Sequence, residues 1–335
     1  MTIHEFLIKV KNKLWNKSVS YTRNKRIYPY LYRSYRHYIV QKKGKDINSN
    51  SFYVARPNPG AGIGHQMANW IAGYWFAKQF GLSFAHIPFS NQKWDDFLGF
   101  SQDEITVAEL LNKGYKKVSL PLFDENNETE VDLQKKIIAS YANQKVVFVA
   151  EQDQFYKDQF GVIDAITNKF NSAPARLNDT IIYDKDCFNI AVHVRRTVII
   201  DNKVILEDEA ARAMRWLSND YYEKVLKQVV ENLNVTKPIS IYIFSTGKAE
   251  EFAEFSKYGD VHFCSDMDEY ASFLHLIRAD LLITSKSSFS YKPALLSNGI
   301  KVCPRNFWHS YPESKDWILV ENDGSFNDSQ LAQIV

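Results

Sequence analysis

Short apolar runs alternate with stretches of helical period along most of this 335-residue chain. Phe52 to Ala55 reads as a strand, and Pro57, Pro59, Gly60, Gly62 and Gly64 then interrupt regular structure. Between residues 65 and 80 Met67, Trp70, Ile71, Tyr74 and Ala77 fall on one helical face, with Gly81 placed as a C-cap. Further strands are expected at 84–87, 117–120 and 146–149, and helices at 107–111, 131–141 and 151–170. The second half repeats the alternation more cleanly. Strands at 190–194, 239–244, 261–264, 281–284 and 300–304, the last taken as final, separate helices at 220–233, 249–258, 268–279 and 291–298. Apolar strands between amphipathic helices predict parallel sheets covered on both faces, an α/β protein of two Rossmann-like domains facing across a cleft. The expected divisions are a segment of 1–50, a first domain over 51–180 and a second over 181–335, with a polar approach to the boundary at 171–179.

Length agrees with two domains, since one hydrophobic core seldom grows past about 250–300 residues. No apolar run approaches the roughly 18–20 residues that hydrocarbon requires, and the first residues lack the apolar core of a secretory leader. Cys187, Cys264 and Cys303 lie far apart, in or beside expected strands, as reduced cysteines do. These features predict a cytoplasmic protein. The net charge of +2 hides an asymmetry, because residues 1–45 hold twelve Lys/Arg and one acid, Glu5. Phe6, Val10 and Leu14 recur at helical spacing there, Lys9, Lys11, Lys13 and Lys17 can take the other face, and six tyrosines follow. A basic helix with an aromatic edge suits an anionic membrane surface, to which each basic residue contributes on the order of 1 kcal/mol. Nucleic acid is the competing partner for a basic aromatic segment, but charge confined to one terminus of an otherwise acidic chain fits it less well.

The run FNIAVHVRRT delivers Arg195 and Arg196 to the carboxyl end of a strand, where an open α/β sheet binds its ligand. A guanidinium stays charged and offers a planar fork that matches phosphate oxygens. The loop from Gly62 to Gln66 sits between a strand and a helix start, where free N–H groups hold anions. Ser285, Ser287, Ser288 and Ser290 follow another strand and lead into a helix. Together these predict a diphosphate site. There is no Walker sequence, and SDMDEY (Asp266, Asp268) leads into a helix, so no metal ion is expected.

Those segments carry a family resemblance. AVHVRRT resembles the H-x-R-R signature of the GDP-fucose-dependent fucosyltransferases, the α1,2, α1,6 and protein O-fucosyltransferase groups. GAGIGHQ is similar to their G-x-G-N-Q loop, SNDYYEKVL to the helix after their arginine motif, and DLLITSKSSFS to their strand ending in S-S-F-S. The four come in the family's order over residues 53–303. The resemblance implies an inverting GT-B glycosyltransferase that needs no metal or cofactor and takes GDP-fucose as donor. It implies that Arg195 binds the donor β-phosphate, that His193 supports the site, and that Ser287 and Ser288 contact phosphate or sugar; Arg196 is expected among the donor-binding residues. Gly62 and Gly64 would approach the diphosphate from the other domain. Three positions depart from the family: His65 replaces its Asn, Val198 an Asp, and Ser272 an acid thought to read guanine. Asp268 lies one turn earlier and could serve instead, or the base is another one. An inverting transfer needs a base for the acceptor hydroxyl; the candidates are Asp201, the acids Glu207, Asp208 and Glu209, and His65. The expected partners are therefore a nucleotide sugar, a glycan acceptor (the basic terminus fits one anchored in lipid) and the inner face of a membrane. Another nucleotide sugar, or a non-catalytic carbohydrate- or nucleotide-binding protein, are the alternatives.

Overall fold

The computed structural model describes residues 3–41, 50–58, 60–142, 144–150, 158–196, 198–200, 203–205 and 209–333. They form two compact units that interleave in sequence, Met1–Arg56 with Ala72–Ile87 and Glu104–Phe155, and Pro57–Ile71 with Pro88–Asp103 and Tyr156–Val335. The α/β class and a parallel sheet in each unit are present as expected.

In the first unit β1 (Phe52–Ala55), β2 (Ser83–Phe84), β3 (Lys116–Ser119) and β4 (Val146–Ala150) make one sheet in the order β2-β1-β4-β3. Every pairing is parallel. All of β4 is buried, which suits its unbroken apolar sequence. The helix Ile63–Gln79 runs so close over β1 that a Cβ at Gly73 would lie 2.5 Å from the Ala55 nitrogen. The basic amino terminus is built into this unit. A helix over Ile3–Thr22, a 3-10 turn over Tyr28–Leu31 and a helix over Arg33–Gln41 bury Val19, Tyr28 and Tyr32. Trp15 and Leu122 pack against them. Arg23 forks onto the Glu130 carboxylate at 3.2 and 2.7 Å, the Leu122 N–H donates to the Tyr28 hydroxyl, and the Ser34 hydroxyl donates to the Ser119 carbonyl at the end of β3. Phe6, Leu7, Val10 and Leu14 stay on the surface.

The second unit holds β5 (Phe188–Val194), β6 (Val198–Ile200), β7 (Lys203–Ile205), β8 (Ile239–Ser245), β9 (Asp260–Phe263), β10 (Leu281–Ile283), β11 (Ile300–Pro304) and β12 (Trp317–Val320). Strands β6 and β7 form a small antiparallel pair, and the rest make an all-parallel sheet in the order β12-β11-β10-β5-β8-β9. Counted along the unit, that is the 6-5-4-1-2-3 order of a dinucleotide-binding sheet, whose direction of winding reverses between β5 and β10. The core runs from Ile190, Val192 and Val194 through Ile241 and Ile243 to Val302 and Ile318.

Several elements differ from expectation, β6 and β7 among them. The last strand is β12, which pairs parallel to β11 with Lys301 opposite Trp317, where Lys301 also meets the Asp316 carboxylate. The helix expected at 291–298 begins at Ser288, because the Ser287 hydroxyl caps it by accepting from the Phe289 N–H. The segment Ala249–Tyr258 is a 3-10 helix, and β2 spans only two residues. Residues 42–49, within the expected segment of 1–50, and 151–157 of an expected helix lie outside the described residues. No helix among the described residues is long and apolar enough to cross a membrane. The three cysteines are unpaired thiols.

Candidate functional site

The site forms in the second unit, at the carboxyl ends of β5 and β10, on either side of the reversal in strand order. Alternate residues of a strand face the same way, so His193 and Arg195 share a face while Val194 and Arg196 point to the other. His193 meets the Ser285 hydroxyl through Nδ1 at 2.7 Å, and Arg195 Nη1 donates to the Ser287 hydroxyl at 3.3 Å. Both serines are buried just beyond β10. Ser290 closes the turn, its Oγ accepting from the Ser285 N–H at 3.2 Å. A guanidinium thus stands beside the amino terminus of the Ser288–Leu296 helix, and fixed charge and helix N–H groups converge in an arrangement that suits an anion. Burial, reinforced by the Arg195 charge, pushes His193 down to about 3, so its imidazole is neutral and adds no charge of its own.

The glycine loop belongs to this same unit. A Cβ at Gly64 would come within 2.5 Å of the Ser288 carbonyl carbon and oxygen, so only glycine allows the loop to lie against the helix start. Gly62 is exposed and has open space around it. Gln66 holds the loop, with Nε2 donating to the Ala61 carbonyl and Oε1 accepting from the Ser90 N–H. His65, half-buried in the first turn of Ile63–Gln79, has its ring 6.3 Å from that of Trp308.

Arg196 is turned elsewhere. Its Nη1 donates to the Arg195 and Leu217 carbonyls, and its Nη2 to the Asn219 amide oxygen. It therefore ties the end of β5 to the head of the helix Asn219–Asn232, away from the serines. Asp268 caps the helix Glu269–Arg278 through Oδ1, which accepts from the Ala271 N–H at 2.7 Å, and the Ser272 hydroxyl donates to the Met267 carbonyl. Asp201, Glu207, Asp208 and Thr197 lie outside the described residues; Glu209 is exposed at the head of the helix Glu209–Arg215.

Two residues close to Ser288, one bonded to it and one a helical turn further on, escape sequence reasoning. His309, buried in the segment after β11, stacks on Tyr291 with ring centroids 3.9 Å apart. The Gln159 amide donates to its Nδ1 at 3.1 Å, which leaves Nε2–H to donate to the Ser288 hydroxyl at 3.2 Å. The Ser288 proton is then directed outward as a donor. The second is Lys292, one helical turn beyond Ser288 and fully buried. Its signal was a charged letter inside the apolar run YKPALL, whereas nothing near His309 in sequence pointed to Ser288. Among the described residues Asp220, Glu223 and Glu254 could together ligate a cation, but Glu223 is already engaged by Lys257 and Tyr258.

The strand order is that of a Rossmann-type sheet, and the charged and hydroxyl groups gathered at its reversal point suit an anion. Neither a family model nor a curated protein matches the chain. Among solved structures, POFUT1 in complex with GDP is similar at 13% identity and a TM-score of 0.43, over 76% of this chain and 98% of that one. POFUT1 in complex with GDP-fucose aligns at 14% identity and 0.41, over 80% and 98% of the two chains. NodZ alpha-1,6-fucosyltransferase co-crystallized with GDP aligns at 12% identity and 0.38, over 82% and 97%.

Proposed function

We propose that this chain is a glycosyltransferase that moves fucose from GDP-fucose to a glycan acceptor, with inversion and without a metal ion. The observation that carries the reading is the contact of Arg195 with Ser287 across the reversal point of the sheet, at a helix start against which Gly64 lets the glycine loop lie. In the reaction the anomeric C–O bond to the β-phosphate breaks and its electron pair leaves with GDP. The acceptor oxygen bonds the anomeric carbon from the opposite face, and its proton passes to a base. Arg195, the Ser288 hydroxyl and the helix N–H groups stabilise the charge that gathers on the departing diphosphate, the work a metal ion does elsewhere. His65, in the first turn of the helix Ile63–Gln79, is one candidate for that base; Asp201 and the acids at 207–209 are the others.

The surface helix Ile3–Thr22 supports a peripheral place on an anionic, cytoplasmic membrane face. It exposes Phe6, Leu7, Val10 and Leu14 together with Lys11, Lys13 and Lys17. An acceptor growing on lipid, as in surface polysaccharide assembly, fits that placement. A second donor is favoured by one specific observation: Ser272 carries a hydroxyl where the family has an acid, and Asp268 is occupied as a cap. The test is a thermal-shift panel of nucleoside diphosphates and their sugars, followed by a GDP-release assay with glycan acceptors. Stabilisation by GDP and release from GDP-fucose are expected. Response to another nucleotide alone moves the donor, and binding without turnover leaves a non-catalytic nucleotide-binding protein.

A further inference from the structure

Lys292 is a charged side chain inside a buried helical run. It lies among Tyr291, Pro293, Ala294, Leu295 and Leu296, all buried, and its own side chain is fully buried too. Its Nζ has no hydrogen-bond partner among the described residues. Burial alone holds the amine well below the ordinary lysine value, with no carboxylate to offset it. An unpaired buried amine is costly, and a methionine or leucine at this position would remove the cost. Side chains of a helix tilt toward its amino terminus, and residues i and i+4 share a face, so the Lys292 stem leans back over the turn that begins at Ser288. His309, bonded to Ser288, feels the amine as well: burial, then the charges of Lys292 and His65, push its imidazole far below its ordinary value. The groups near the amine include the His309 imidazole and the Tyr291 ring, whose centroid is 5.1 Å from Nζ. Neither is a carboxylate. A cluster of this kind behind a helix start lacks one thing, an anion.

We propose that Lys292 is a further anion-binding residue of this site, an amine whose partner is a phosphate oxygen of the bound nucleoside diphosphate. The proposal rests on the diphosphate reading above and adds a residue and a design reason to it: the amine lowers the stability of the empty protein in exchange for affinity. The experiment compares the full chain with Lys292→Met, using thermal melting without ligand and calorimetric titration with GDP, guanosine and inorganic pyrophosphate. Lys292→Met is expected to melt several degrees higher, to bind GDP and pyrophosphate at least tenfold more weakly, and to treat guanosine as the wild type does. Lys292→Gln, which keeps a polar atom, should also weaken GDP. If Lys292→Met folds and binds GDP as tightly as wild type, or loses guanosine in equal measure, the inference fails while the diphosphate site stands. A lower melting temperature for Lys292→Met with unchanged affinity assigns the lysine to structure and overturns it as well. If the wild type binds neither GDP nor pyrophosphate, the diphosphate reading itself falls.

Discussion

Arg195 and Arg196 are neighbours with opposite employment, and the strand decides which does what. Period-two alternation places Arg195 with His193 on the serine side and sends Arg196 to the carbonyl of Leu217 and the amide of Asn219. Arg195→Ala should therefore cut transfer at least a hundredfold, the scale of a lost transition-state donor, with the melting temperature nearly unchanged. Arg196→Ala should do the reverse, since it strips partners from half-buried acceptors at about 1–3 kcal/mol. GDP-release rates beside melting curves separate the two. His193 adds a pH dependence. Its folded value of about 3 lies below the unfolded value near 6.5, so below pH 6.5 the unfolded chain takes up a proton that the folded chain refuses. Its contribution to stability is whole above that pH and is lost as pH falls toward 3, by about 1.4 kcal/mol per unit. Denaturant midpoints between pH 7 and 4 should fall more steeply for wild type than for His193→Gln; equal slopes would refute the assignment.

At the scale of elements, the proposed anion site depends on a loop and a helix start that meet without side-chain bulk between them. Gly64→Ala would drive a methyl into the Ser288 backbone, an obstruction that no rotamer relieves. The expected result is nucleotide affinity lower by tenfold or more together with a lower melting temperature. Asp268→Ala tests a different end of the unit. It should cost about 1 kcal/mol, the usual worth of an N-cap, and leave nucleotide affinity alone, whereas a large loss of affinity for guanine nucleotides would make Asp268 a base reader. The strands, the glycine loop and the serine turn were legible because each is a local pattern: an apolar run, a break, a cluster of hydroxyls. What stayed hidden were relations between distant segments. His309 reaches Ser288 and Gln159 across 21 and 150 residues, and neither spacing leaves a periodic trace. The start of the Ser288–Leu296 helix was hidden for another reason, since four serines in six residues read as a turn until one of them is seen to cap. Strand β12 was missed because a four-residue apolar run after a proline-bearing stretch looks the same whether it pairs or not.

For the molecule as a whole, the uneven charge sets the question of where it works. The basic amino terminus is not a detachable arm in the first unit, for Val19, Tyr28 and Tyr32 are buried and Arg23 grips Glu130. Deleting residues 1–45 would uncover that packing and confuse a docking defect with unfolding. The outward face of Ile3–Thr22 is separable from it. Phe6, Leu7, Val10 and Leu14 fall within about 100° of helical arc, while Trp15 and Val19 turn inward on another. Leu7→Glu with Leu14→Glu changes only exposed positions and reverses both the apolar and the electrostatic attraction to an anionic bilayer. Wild type should cosediment with vesicles containing anionic lipid and be released in part by salt, because only the charged share of the attraction is screened. The double variant should stay in the supernatant, melt as wild type does and transfer sugar to a soluble acceptor at the same rate. Transfer that falls on the soluble acceptor too would mean the face belongs to the catalytic apparatus, and unchanged sedimentation would remove the membrane from the reading.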